Sequence, residues 1–301
     1  RAKRLCDTTG EYKEIFRAQR GLWQVGVGRG EYDFALVQAD ALVSIAQSVN
    51  DATIELEAWR CKGTTEFWLG NFVESKAAME LTCKLYDPRE HSDLWQVFGQ
   101  DPFVATKGLY AWALVHLGDL QKGKYQAAIA EKRANEINHP FSIAYAKGAR
   151  MWTGYFANDK KLAVKASTEC IQISLERSFP YLTAAGHVVH GWATGDLNEI
   201  NDAIEDWGKV GGGIGLAPFQ LAHAEAHLAS HNHEKAIEIL KNAGLKKKLE
   251  SEIWLQSIHK MILGSALIKS GQIQKGEGYI NILRNNVIYS NITRPFGRKY
   301  I

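Results

Sequence analysis

Apolar residues recur at spacings of three and four through most of the chain, which is the period of an amphipathic helix. Only six prolines interrupt 301 residues, so helices dominate. Turn signals break the period at regular intervals. A glycine followed two residues later by an aromatic or aliphatic side chain appears as Gly30-Glu31-Tyr32, Gly70-Asn71-Phe72, Gly118-Asp119-Leu120, Gly195-Asp196-Leu197 and Gly271-Gln272-Ile273. Asn158-Asp159-Lys160 and His231-Asn232-His233 are degenerate copies in the gaps. Successive turns are 40, 48, 40, 37, 36 and 40 residues apart, one helical hairpin per interval. Self-similarity at this period is the signature of an α-solenoid. Five residues after each turn a small side chain lets two helices cross closely: Ala35, Ser75, Gly123, Ala163, Ala236 and Gly276, with Ile200 the exception.

These marks resemble tetratricopeptide repeats, and Gly63, Ala224 and Gly264 match the small position of the first helix. Pro88, Pro140 and Pro180 stand where such units close. The resemblance implies an all-α fold, a right-handed α–α superhelix of about seven tetratricopeptide-like hairpins. Its repeats are longer than the usual ~34 residues. The chain reads as a single solenoid over 1–301, with hairpins near 11–49, 51–84, 103–137, 141–177, 181–208, 216–244 and 250–285. An insertion at 85–102 separates the second and third hairpins, and a tail at 286–301 carries Arg294, Arg298 and Lys299.

A second resemblance rests on Leu85-Tyr86-Asp87-Pro88, His91, Gly99-Gln100-Asp101-Pro102, His139-Pro140-Phe141-Ser142, Phe179-Pro180-Tyr181 and Gly191-Trp192-Ala193. Over roughly half of the chain, from about Tyr86 to Ala243, these residues resemble the C-terminal helical arm of bacterial multidomain signalling proteins. Those proteins carry a signal-transduction ATPase module with an adenylate/guanylate cyclase, kinase or transcriptional regulator domain. The resemblance implies a sensor or scaffold arm in place of the enzyme. No phosphate-loop, cyclase, kinase or helix-turn-helix motif is present, so such activities would belong to other parts of a parent protein.

Composition narrows the classes further. Hydrophobic residues at 46% and charged ones at 23% are ordinary for a folded soluble protein, which argues against disorder. A net charge of +3 is too small for a nucleic-acid face, and Lys246, Lys247 and Lys248 read as a solvated loop. No apolar run approaches the roughly 18 residues needed to cross a bilayer. Cys6, Cys61, Cys83 and Cys170 lack any Cys-x-x-Cys spacing, so they read as small reduced core residues. The expected setting is cytoplasmic, with neither direct nucleic acid nor membrane among the partners. The chain begins at Arg1, and its first residues read as neither signal peptide nor tag, as expected of a piece of a larger protein.

Candidate chemistry is sparse. His223 and His227 share one helix face at metal-ligand spacing, but Glu225 lies midway and points elsewhere, so the pair reads as a hydrogen-bonded structural cluster. Gly208-Lys209-Val210-Gly211-Gly212-Gly213-Ile214-Gly215 lacks the strand that a nucleotide loop requires and reads as a connection between repeats. Glu55, Glu57 and Glu66 read as solvated helix faces. No catalytic residue, cofactor or metal is assigned. In tetratricopeptide geometry the first helix of each pair lines the concave surface, which points to Trp112, Tyr145, Trp152, Tyr155 and Trp192 as aromatic anchors. Arg20 and Arg60 are placed to hold a carboxylate, and Asp101 marks the insertion.

The expected function is a non-catalytic arm of a bacterial signalling or transcription regulator. Its concave groove would recognise a protein or peptide partner, effector domains of the parent protein or a small ligand. The alternatives are a hydrolase-like enzyme with a cleft at 85–102 and a purely architectural oligomerisation module.

Overall fold

A computed structural model describes residues 12–209 and 215–284. The Gly211–Gly213 run and the tail with Arg294, Arg298 and Lys299 therefore lie outside the described residues, as does Cys6. Among the described residues there are sixteen α-helices and no strand. They pack in sequential pairs: α1 (Tyr12–Arg29) with α2 (Tyr32–Ser48), and α3 (Ala52–Trp68) with α4 (Phe72–Leu85). After the short α5 (Leu94–Phe98) come α6 (Pro102–His116) with α7 (Leu120–Ile137), and α8 (Pro140–Phe156) with α9 (Lys160–Glu176). Then follow α10 (Pro180–Thr194) with α11 (Leu197–Lys209), and α12 (Leu216–Ala229) with α13 (His233–Lys241). The short α14 (Ala243–Ser251) and a 3-10 turn (Ile253–Leu255) lead into α15 (Gln256–Lys269) and α16 (Ile273–Arg284). The architecture is an all-α superhelical repeat.

Backbone geometry at the turns explains the periodic glycines. Gly30, Gly70, Gly118, Gly195 and Gly271 have φ between 72° and 89°, the left-handed region that glycine enters at least cost. Asn158 and His231 hold the same conformation at φ 51° and 61°, so the degenerate turns are left-handed too. Helix starts are equally local in origin. Asp51, Asp119 and Asp159 cap α3, α7 and α9 by accepting backbone N–H bonds, and Pro102, Pro140 and Pro180 sit in the first turns of α6, α8 and α10. Pro140 and Pro180 thus open the next repeat as well as ending the last.

Where paired helices cross, the small residues are in contact. A Cβ on Gly154 would lie 2.7 Å from the backbone nitrogen of Ala163, and one on Gly264 would lie 3.0 Å from the Gly276 carbonyl. Ile200, the exception in the pattern, is fully buried because Gly191 faces it: a Cβ on Gly191 would come within 2.7 Å of the Ile200 side chain. Volume lost on one helix is regained on the other, so packing density is kept.

The sequence pattern gives no separate place to α14 and its 3-10 turn, yet this segment bridges from the sixth hairpin to the second. Trp254 is buried, with ring centroids 5.4 Å from Phe67, 5.2 Å from Trp68 and 5.9 Å from Phe156. Its backbone passes 3.7 Å from where a Cβ of Gly70 would be. Covering about 200 Å² of indole in this way contributes up to about 5 kcal/mol, an upper estimate, to holding the second hairpin against the sixth.

Gly154→Ala should lower stability by about 1–3 kcal/mol, since the added methyl meets backbone and not a movable side chain. Gly21→Ala, on an exposed part of α1 where a Cβ meets nothing within 4 Å, should raise it by about 0.5–1 kcal/mol. Urea-unfolding midpoints of the two variants check the opposite signs.

Candidate functional site

The C-terminal halves of α3, α6 and α8 carry Trp68, Trp112, Trp152 and Phe156, and α1 contributes Gln24 and Gly28. Together they enclose a cavity of about 710 Å³. Counting back from each turn residue separates two kinds of position. Side chains six and two residues before the turn line the cavity: Gln24 and Gly28 in the first repeat, Trp68 in the second, Trp112 in the third, Trp152 and Phe156 in the fourth. Side chains three before it, such as Phe67, Tyr155 and Trp192, are buried between helices. Positions four apart share a face of a helix, and the position between them points elsewhere.

The remaining walls come from helix starts, from α11 and from the end of α14 with its 3-10 turn. Tyr32, at the start of α2, stacks on Trp68 at 6.0 Å, and Trp68 meets the rings of Trp112 and Trp254 edge-on at 6.4 and 5.2 Å. Across the cavity Phe219 is layered between Trp152 and Tyr181, at 6.3 and 6.0 Å with rings within 12° of parallel. Trp207 leans on Tyr181 at 5.6 Å. Behind Trp254, His116 is held among Phe72, Phe156 and Phe67, and burial pushes its imidazole down to about 4, so it stays neutral.

The polar side chains of the lining are Gln24, Arg29, Lys248, Ser251 and Glu252, beside the Tyr32 and Tyr181 phenols. Arg29 is exposed, Lys248 is half-buried, and Glu252 turns a carboxyl inward from the end of α14. Burial pushes the Glu252 carboxyl up to about 7, with Lys248 and the Trp254 indole offsetting only part of the rise. Burial and the same carboxylate push the phenols of Tyr32 and Tyr181 well above their ordinary value. The arrangement is a concave, aromatic-walled chamber with one ill-solvated acid.

Of the residues singled out in the sequence, Trp112 and Trp152 line this chamber. Tyr155 and Trp192 lie one layer below, packed edge-on at 4.8 Å, and Tyr145 covers Gly108 beside Phe141. Arg20 and Arg60 hold a carboxylate of the chain itself. Arg20 Nε donates to Glu57 Oε1 at 2.6 Å, and Arg60 donates from Nε to Oε2 at 2.7 Å and from Nη2 to Oε1 at 2.5 Å. Glu57 is therefore a fully buried anion and not a solvated one, and Glu66 is also buried. Burial alone would raise the Glu57 carboxyl, but Arg60 and Arg20 more than offset it and hold it below the usual range. Arg20 also lies over the Phe98 ring at 4.8 Å, which docks α5 onto the first hairpin.

Asp101 is enclosed as well. Its carboxylate accepts from the Val104 N–H at 2.8 Å to cap α6, and Tyr86 and Arg133 approach it at 3.3 and 3.8 Å. Burial raises its pKa despite these partners. A fully covered carboxylate offers a substrate no access, which weakens the reading of a cleft in the insertion. His223 and His227 bring their Nε2 atoms to 3.1 Å, while Glu225 is buried on the opposite side, where with desolvation it raises the Tyr155 phenol. Among the described residues no group of three or more His, Cys, Asp or Glu side chains is placed to hold a metal ion, and no helix is long and apolar enough to cross a membrane.

No family model and no curated protein sequence matches the chain. Its fold is similar to that of a Rap protein solved in complex with competence and sporulation factor, with a TM-score of 0.62 at 13% identity, over 91% of this chain and 74% of that one. A complex of the TPR2AB domain of yeast Sti1 with a pHSP90 component also aligns, at a TM-score of 0.32 and 15% identity over 94% of this chain and all of that one. At these identities the likeness to Rap protein speaks for the fold alone, a tetratricopeptide-like helical repeat.

An acid whose pKa is raised in the folded chain binds a proton that the unfolded chain releases. Stability linked to Glu252 is therefore full below its unfolded value of about 4.3 and falls as pH rises towards 7. Glu252→Gln should raise the stability of the ligand-free protein at about pH 8 by about 1–3 kcal/mol and leave it nearly unchanged at about pH 4. Urea unfolding at the two pH values measures the difference.

Proposed function

We propose that this chain is a non-catalytic binding module whose concave aromatic cavity takes a small ligand or a few residues of a peptide. The observation that carries the reading is the cavity itself. Its volume of about 710 Å³ falls in the range of ligand sites, and its walls are aromatic rings on the ends of successive first helices. Rigid aromatic anchors in a concave surface give large contact area at small entropic cost. The Ser251 hydroxyl in the lining donates to the Lys248 carbonyl at 3.0 Å, so it is engaged within its own helix. The Rap protein was solved with competence and sporulation factor, which makes ligand recognition by a superhelical arm a reasonable precedent.

The sequence resemblance to bacterial signalling proteins extends the proposal. In that setting occupancy of the cavity would bias the contact between the first hairpins and the Trp254 segment, and so report the ligand to a neighbouring effector domain.

A neutral aromatic fluorophore, N-phenyl-1-naphthylamine, tests the reading without knowledge of the natural ligand. It should bind saturably, one molecule per chain, with blue-shifted emission. Tyr32→Ala removes a half-buried wall without opening the core and should weaken binding by more than about 1 kcal/mol. Absence of saturable binding to the folded protein, or equal binding by the variant, contradicts the proposal.

A further inference from the structure

The chemistry inside the cavity is unusual in one respect: aromatic faces and a carboxylate share it. Elsewhere the chain covers its rings with its own cations, Lys160 over Trp192 at 5.6 Å, Arg60 over Trp23 at 5.1 Å and Arg133 over Tyr86 at 5.7 Å. Among the described residues no such contact falls on Tyr32, Trp68, Trp112, Trp152 or Trp254, the rings that face the cavity. Electron-rich ring faces attract a cation, and desolvation strengthens the attraction.

Glu252 adds the countercharge. It follows the last residue of α14, where the chain turns into the 3-10 segment, so its carboxyl is carried inward beside Trp254, together with the half-buried Lys248, while Lys246 and Lys247 remain exposed. An acid left in an apolar chamber is costly to ionise unless something positive joins it. Lys248 supplies that only in part, acting on Glu252 through space, and Arg29 is exposed, where water and salt screen it.

Resting on the reading of this cavity as a ligand site, we infer that the ligand carries an alkylated ammonium group, seated against the Trp68, Trp112 and Trp254 rings with Glu252 as its counter-ion. A tertiary or quaternary ammonium suits the walls better than a primary one. Its alkyl groups spread the charge over contacts with the ring faces and demand fewer hydrogen-bond acceptors than a primary ammonium. An ammonium bound there favours the ionised form of Glu252, so binding and deprotonation are linked.

That linkage gives the site a pH signature. Between about pH 6 and pH 8 Tyr32 and Tyr181 stay protonated and His116 behind Trp254 stays neutral, and the other charged side chains of the lining are Lys248 and Arg29. A quaternary ammonium has no proton to lose. Any tightening of its binding over that interval therefore reports Glu252.

The test uses displacement of bound N-phenyl-1-naphthylamine by two alcohols of the same shape, choline and its uncharged carbon isostere 3,3-dimethylbutan-1-ol. At about pH 8 choline should displace the fluorophore at a concentration about tenfold lower than the isostere. The advantage should shrink at about pH 6 and in Glu252→Gln, a variant expected to fold at least as well as the parent. Equal displacement by the two alcohols, no displacement by choline, or a choline advantage untouched by Glu252→Gln overturns the inference. Each of those results leaves the cavity reading standing, because binding of the uncharged fluorophore reports it separately.

Discussion

The contact on which the rest depends is the burial of Trp254 against Phe67, Trp68 and Phe156. A repeat array is held together by nearest-neighbour interfaces, and nothing in that scheme obliges its ends to meet. Here a segment after the sixth hairpin crosses to the second and places its indole in an aromatic nest. The contact turns an open groove into a chamber and brings Glu252, two residues earlier in the chain, to its wall. A concave surface that would otherwise be solvated acquires a floor, a low dielectric and one acid in need of a partner.

Glu57 and Glu252 illustrate how differently buried charge can be handled. Glu57 is gripped by Arg20 and Arg60 and is held ionised, since the Arg60 fork takes both of its oxygens and Arg20 Nε adds a third bond. The cluster binds the first two hairpins together and seats the insertion through Phe98. Glu252 has no such grip, and burial dominates its titration. The first arrangement serves the fold. The second costs stability when ionised, the kind of local expense that functional sites carry.

The repeat was legible in the sequence because its determinants are local. Left-handed turns at Gly30 or Asn158 and helix crossings at Ala163 need only a few neighbouring residues to specify them, and even Ile200 is answered by Gly191 in the same hairpin. The site was legible in part. Trp112 and Trp152 share the position six before the turn, which faces the cavity, whereas Tyr155 and Trp192 occupy the position three before it, which faces the core. Strict attention to that register would have added Trp68 and Phe156. Tyr32, Tyr181, Trp207, Glu252 and Trp254 carried no comparable signal, because they reach the chamber only through long-range closure of the superhelix. The arginines misled for a related reason: their partner, Glu57, stands on a helix whose exposed face cannot be told from its buried one by charge alone.

The most direct measurement of this account is the distance between spin labels at the exposed positions Val37 and Lys246, compared between the parent protein and Trp254→Ala. If the Trp254 contact closes the superhelix and forms the chamber, the parent should give one narrow distance distribution. The variant should give a longer and broader one and lose fluorophore binding while its helices remain. A variant with unchanged distances and unchanged binding would contradict the claim that this contact makes the site.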